Sequence, residues 1–145
     1  MLKMVLCLFF AFFIFLFSAG CLKFDTKASK DEVFDFVMNH KNELSDAINN
    51  KDFSNIEKSR IVANVFVKED SVDFECGGSG FGSGTSYVGF FYSANDNMCD
   101  VWCAPSSEEY LVKCGHGFEW QEETDDDRYY VEKICDKFYY YEASF

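Results

Sequence analysis

Cys99-x3-Cys103, followed by Cys114-Gly115-His116, is the part of this sequence richest in soft ligands and nucleophiles. Sulfur and imidazole together suit zinc, which takes them in tetrahedral sets. A zinc finger or knuckle, however, uses a tight C-x2-C turn to aim both sulfurs at one ion, and no such spacing occurs here. Zinc is therefore the lesser reading, and neither a metal nor a cofactor is expected. A cysteine and a histidine two positions apart do not make a catalytic dyad, which depends on geometry in the fold. The other histidine, His40, lies in a helical pattern. Glu119, Glu122, Glu123 and Asp125–Asp127 offer carboxylates for acid–base work or weak calcium binding. They lack the alternating ligand order and the glycine of an EF-hand loop, and read as a solvated turn. A small hydrolase built on His116 is the catalytic reading that remains.

CGGSGFGSGTSY, residues 76–87, holds five glycines and invites a phosphate-cradle reading. A dinucleotide loop requires G-x-G-x-x-G, but counting from Gly78, Gly80 or Gly82 the last position is Ser83, Thr85 or Tyr87. No lysine is in range for a phosphate-binding G-K-[ST], and Ser79 and Ser83 both miss the G-x-S-x-G nucleophile elbow. The segment reads as a connection between two strands. Glycine lets another backbone approach closely. Gly78, Phe81, Tyr87 and Trp102 are thus the residues expected to touch a partner.

MLKMVLCLFFAFFIFLFSAGC opens the chain with one lysine, an apolar run from Met4 to Phe17 and a small-residue exit. That is the pattern of a secretory signal, and the run is shorter than the roughly 20 apolar residues of a membrane span. Ser18-Ala19-Gly20-Cys21 resembles the bacterial lipobox, in which the cysteine is acylated and becomes the new N-terminus. Ser18 stands where that pattern usually has leucine, so ordinary cleavage after Gly20 is the alternative. Residues 1–20 are read as signal peptide, 21–29 as a tether holding lipid at Cys21, and 30–145 as a single domain.

Cys76, Cys99, Cys103, Cys114 and Cys135 remain for an exported domain, where thiols commonly pair. Five is odd, so at most two bridges are expected. Cys99 and Cys103 on an extended strand would sit about 13 Å apart, too far to join without a bend.

The formal charge of the sequence is −12, and the signal takes only Lys3 with it, which leaves −13. Between Lys68 and Lys113 there is no lysine or arginine, while eight carboxylates from Glu69 to Glu109 fall there. Nucleic-acid binding needs a basic stripe and is excluded. A charged partner is expected to be basic.

Ser29 followed by Glu32 forms a capping box. Val33, Val37, Leu44 and Ile48, widened by Phe34, Met38 and Ala47, then recur at helical spacing. A helix is expected over 30–49, ended by Asn49-Asn50, with Phe53 and Ile56 turned inward after it. From residue 61 the period becomes two. Strands are expected in 61–68, in VDFEC with Val72, Phe74 and Cys76 on one face, and in YVGFFYSA. CDVWC, EEYLVKC and FEWQEE are read as further strands, and the tail as a strand, a helical turn near Ile134 and a last strand. The fold class is α+β: an N-terminal amphipathic helix packed on an antiparallel sheet or meander of five to seven strands.

VDFECGGSGFGSGTSYVGFFYS, APSSEEYLV, GFEW and FYYYEASF together resemble a group of small exported proteins of Gram-positive gut bacteria. The resemblance covers roughly residues 60–145, implies no activity and carries over no functional residue. The expectation is a membrane-anchored extracytoplasmic binding or accessory module without catalytic activity. An acidic inhibitor or immunity-type protein that blocks a basic target is the alternative.

Overall fold

Helix α1 (Lys30–Asn50) starts where its capping box closes. The computed structural model describes residues 28–80, 84–123 and 126–145. The Ser29 N–H donates to Glu32 Oε2 at 2.8 Å, and the Glu32 N–H donates back to Ser29 Oγ at 3.3 Å. The helix runs through Asn49 and Asn50 and ends at Lys51, whose left-handed backbone (φ 54°) caps the carbonyls of Ala47 and Ile48. Val33, Val37, Leu44 and Ala47 are buried. Met38, expected in the apolar stripe, points to solvent. The helix bends at His40 (φ −113°, ψ 16°), whose ring Nδ1 lies 2.9 Å from the Phe36 carbonyl four residues back. A side chain inserted into the backbone ladder in this way is a recognised cause of a kink.

Seven antiparallel strands follow: β1 (Asn64–Val67), β2 (Ser71–Ser79), β3 (Ser86–Ser93), β4 (Val112–Cys114), β5 (Gly117–Gln121), β6 (Arg128–Cys135) and β7 (Phe138–Ser144). Their order across the sheet is β1-β2-β3-β7-β6-β5-β4. Two meanders, β1 to β3 and β4 to β7, are thus joined where β3 pairs with β7. Together with α1 this is the α+β class expected from the sequence, with the helix preceding the sheet among the described residues.

Both faces of the sheet are covered, and that sets the burial pattern. On one face α1 packs against Val72, Phe74, Cys76, Phe90, Phe138 and Tyr140. Lys30 ties the first turn of the helix to β6, pairing with Glu132 and lying over the rings of Tyr130, Phe34 and Tyr140. On the other face lie Phe91, Tyr129, Val131, Tyr139, Tyr141 and Ala143. These are covered by the connection from β3 to β4, residues 94–111, which crosses the sheet as a strap and buries Val101 and Cys103. Residues 71–76 are consequently buried without a break.

Asp96 anchors the strap. Its left-handed backbone (φ 56°) turns the chain, and its carboxylate accepts from Lys133 Nζ (2.6 Å), the Tyr139 hydroxyl (2.7 Å) and the Lys137 N–H (3.3 Å). The Lys133 and Tyr139 contacts hold the Asp96 carboxyl below its ordinary range. Ser93 Oγ donates to Asp100 at 2.6 Å, and the Tyr129 hydroxyl donates to the Met98 carbonyl at 2.7 Å.

The strap overturns one expectation directly. CDVWC is a succession of turns rather than a strand, with Asp100 N–H donating to the Asn97 carbonyl and Ala104 N–H to that of Val101. Glu108–Tyr110 forms a single 3-10 turn before the short β4. No helical turn forms near Ile134: β6 continues to Cys135 with a bulge after Lys133, and a tight hairpin with Lys137 at φ 63° leads into β7. A β-rich neighbourhood overrides the weak local preference of ICDK for a turn of helix. β1 is shorter than the 61–68 run: residues 64–67 pair in register with β2, and Ala63 adds one hydrogen bond to the Glu75 carbonyl at 2.7 Å.

Gly89 sits opposite Tyr141 in the β3–β7 register. A Cβ there would lie 2.6 Å from the Phe74 carbonyl oxygen and 2.8 Å from the Tyr141 ring. Gly89→Ala is expected to destabilise the fold by about 2 kcal/mol through overpacking. Gly84→Ala, with nothing within 4 Å of the added carbon, is expected to change little. Urea unfolding of the two variants side by side checks this, and equal midpoints would refute it.

Candidate functional site

Three rings meet where the β2–β3 hairpin, the strap and the last residue of the chain converge. Tyr87 from β3 makes an edge contact with Trp102 of the strap, centroids 5.2 Å apart. Trp102 stacks on Phe145 at 5.5 Å, and Tyr87 tilts against Phe145 at 6.2 Å. Phe145 is fixed by its own backbone: it donates to the Thr85 carbonyl at 2.9 Å and accepts from the Thr85 N–H at 3.1 Å. Trp102 remains 47 % exposed, so the cluster presents an indole held on two sides and open on the rest. Aromatic rings with a polar N–H and little rotational freedom are the side chains most enriched at protein contacts.

The glycines make room for this arrangement. Gly78 pairs with Tyr87, and a Cβ on it would come within 2.9 Å of the Ser86 carbonyl oxygen and 3.2 Å of the Tyr87 ring. The first half of the glycine segment is therefore not loop, since β2 runs through Gly77 and Gly78 to Ser79. The register slips between Glu75 and Gly77, a bulge that lets the strand bend. Of the four residues expected to touch a partner, Gly78, Tyr87 and Trp102 come together here, and Phe81 lies outside the described residues.

On the same face the sheet holds an enclosed acid. Asp73 is 4 % exposed, and neither of its carboxylate oxygens, nor the Tyr141 hydroxyl, has a hydrogen-bond partner. Burial pushes the Asp73 carboxyl up to about 7, and the charge of Glu75 adds to the rise. Tyr141 and the Trp102 side chain lie near enough to temper that shift without completing a hydrogen bond to it. Glu75 is better provided, its Oε1 accepting from Asn64 Nδ2 at 3.3 Å. Both oxygens of Asp73 are enclosed, so the carboxyl offers no surface to a substrate.

The cysteines do not assemble into a reactive group. All five described ones are free thiols. Cys76 and Cys135 belong to the helix face of the sheet and Cys103 to the strap face. Burial raises Cys99 to about 11 and lifts Cys76, Cys103 and Cys135 as well. The neighbouring Glu119 carboxylate raises Cys114. A nucleophilic thiol is normally pushed the other way, toward thiolate. His116 is exposed in the β4–β5 turn, its carbonyl accepting from Lys113 Nζ at 3.3 Å. Among the described residues no group of three or more His, Cys, Asp or Glu side chains is placed to hold a metal ion.

Phe145, Asp73 and Tyr141 were not singled out by the sequence. Asp73 carried a signal in VDFEC, where it alternates with Val72 and Phe74. That alternation suggests a solvent face, and only the strap makes it a buried one. Cys21 lies outside the described residues. No protein family, curated protein or solved structure matches the chain.

Proposed function

We propose that the chain is an exported, non-enzymatic binding module, tethered to the outer face of the cell membrane by lipid on Cys21. It binds a basic partner protein through the Tyr87–Trp102–Phe145 cluster. The observation that carries this reading is the half-exposed Trp102, held between Tyr87 and Phe145. The elements around it, β2, β3 and the strap, contain no lysine or arginine. An anchored ring within a negative surface suits a partner that supplies a basic side chain to the indole face and to the surrounding carboxylates. Where that partner is an enzyme, occupation of its basic site makes the module an inhibitor.

The test is capture from the producing cell's envelope by photo-crosslinking, with wild type and Trp102→Ala compared after both are shown to be folded by circular dichroism. One basic protein is expected. Its crosslinking yield falls when the salt present during irradiation is raised well above about 0.15 M, where surface charges are screened, and falls about tenfold in the variant. Undiminished, salt-independent capture by Trp102→Ala would refute the binding face. The anchor is read separately: labelled fatty acid should follow the wild-type chain and be absent from Cys21→Ala, and label on that variant removes the anchor from the reading.

A further inference from the structure

Back to back with the aromatic cluster, the helix face of the sheet extends beyond the reach of α1, and among the described residues nothing lies over it there. A cleft of about 490 Å³ lies there over β5, β6, β7 and the start of β3. The pairing of the strands fixes its floor. One row across the sheet aligns Val112, Glu119, Tyr130 and Glu142, and the next aligns Gln121, Arg128, Ser144 and Ser86. Tyr110, half exposed, stands at the rim.

We infer that this cleft binds a saccharide. Its size falls in the range of small-ligand sites, about 300 to 1,000 Å³, and polar and apolar groups share its lining in similar measure. Two carboxylates stand against one guanidinium in a chain of charge −12, which disfavours an anionic ligand. What remains is a run of amide, hydroxyl, guanidinium and carboxylate groups. Each sugar hydroxyl both donates and accepts, and so can pair with any of them. Gln121 and Ser144 stand on one row with Arg128 between them, their polar ends along the floor of the cleft. The ring of Tyr110, half exposed at the rim, suits the apolar C–H side of a pyranose.

The walls are already set. The Tyr140 hydroxyl donates to Glu142 Oε1 at 2.5 Å, which leaves the second oxygen for a ligand. Tyr130 is fixed by its hydroxyl, which donates to Glu132 at 2.5 Å and accepts from Lys30 at 3.3 Å. A site ordered before binding loses less entropy when the ligand arrives.

The experiment titrates the isotope-labelled full chain with glucose, N-acetylglucosamine and mannose oligomers and follows backbone amides by NMR. At least one sugar should produce saturable shifts at Ser86, Arg128 and Ser144, with Trp102 unmoved. Arg128→Ala should weaken that sugar's binding about tenfold. Ser144→Ala, a smaller change on the same row, should weaken it less. No saturable shift with any of the three series would overturn the inference. So would binding unaltered in both variants, or shifts centred on Trp102 instead of the cleft. Capture of the basic partner by Trp102 is read independently and does not depend on this result.

Discussion

Replacing Asp73 by asparagine stabilises this protein at about pH 8 and leaves it nearly unchanged near pH 4. An unfolded aspartate releases its proton near pH 3.9, whereas folded Asp73 holds its proton up to about 7. Between those values the native state binds a proton that the unfolded chain has lost, so stability falls as pH rises across the window. Above about 7 both states are ionised and the penalty is constant. It is the cost of a carboxylate with neither oxygen hydrogen-bonded. A shift of this size corresponds to about 4 kcal/mol. The amide of Asp73→Asn carries no charge and removes that term at every pH.

The acids with lowered values act elsewhere on the pH axis. Hydrogen bonds to Lys133 and Tyr139 depress Asp96, and the backbone and side chain of Ser29 depress Glu32. Their stabilisation is present above the ordinary carboxylate range and is lost only as pH falls below it, the opposite sign in a lower window. Urea unfolding at about pH 4.5, 6 and 8 therefore isolates Asp73. Wild type should weaken steadily across the series, and Asp73→Asn should weaken far less, by the small share its buried thiols contribute near pH 8. A flat wild-type profile, or the same slope in the variant, would show that the carboxyl is solvated in solution.

Asp73 also marks where sequence reasoning stops. The helix was legible because Ser29, Glu32, Val33 and Val37 carry cap and period in adjacent positions. β2 was legible because Val72, Phe74 and Cys76 alternate, and so was the hairpin into β3. What alternation does not report is the fate of the opposite face. Ser71, Asp73 and Glu75 resemble an outer edge until a connection from elsewhere lies over them. That connection was misread because Cys99, Val101 and Cys103 alternate like a strand although their backbone turns. The candidate site was legible to the same depth: Gly78, Tyr87 and Trp102 stood out as glycine and aromatics near a loop. Phe145 joins them only because β3 pairs with β7, two strands far apart in sequence. No local period encodes such a pairing.

Phe90→Ala and Phe91→Ala, neighbours on β3, should each cost about 4 kcal/mol while loosening different halves of the molecule. Phe90 is fully buried on the helix side, stacked on Phe74 with centroids 4.6 Å apart and 8° between planes, and touches Phe36 of α1 at 6.0 Å. Phe91 is equally buried on the other side, stacked on Tyr139 at 5.2 Å and tilted against Tyr141 at 6.2 Å. Successive strand residues point to opposite faces, so the two truncations open cavities in separate layers with no shared ring partner. Native-state hydrogen exchange distinguishes them, because layers can open locally below the global unfolding free energy. In Phe90→Ala the amides of α1 from Val37 onward should lose protection first. In Phe91→Ala the strap amides of Asn97, Met98 and Cys99, which donate to the side chains of Ser93 on β3 and of Glu108 and Asn97 in the strap itself, should exchange first while α1 stays protected. Equal loss in both layers from either variant would mean that helix and strap open as one unit. Because the strap carries Trp102, Phe91→Ala should also weaken capture of the basic partner, whereas Phe90→Ala should spare it under conditions where both variants remain folded.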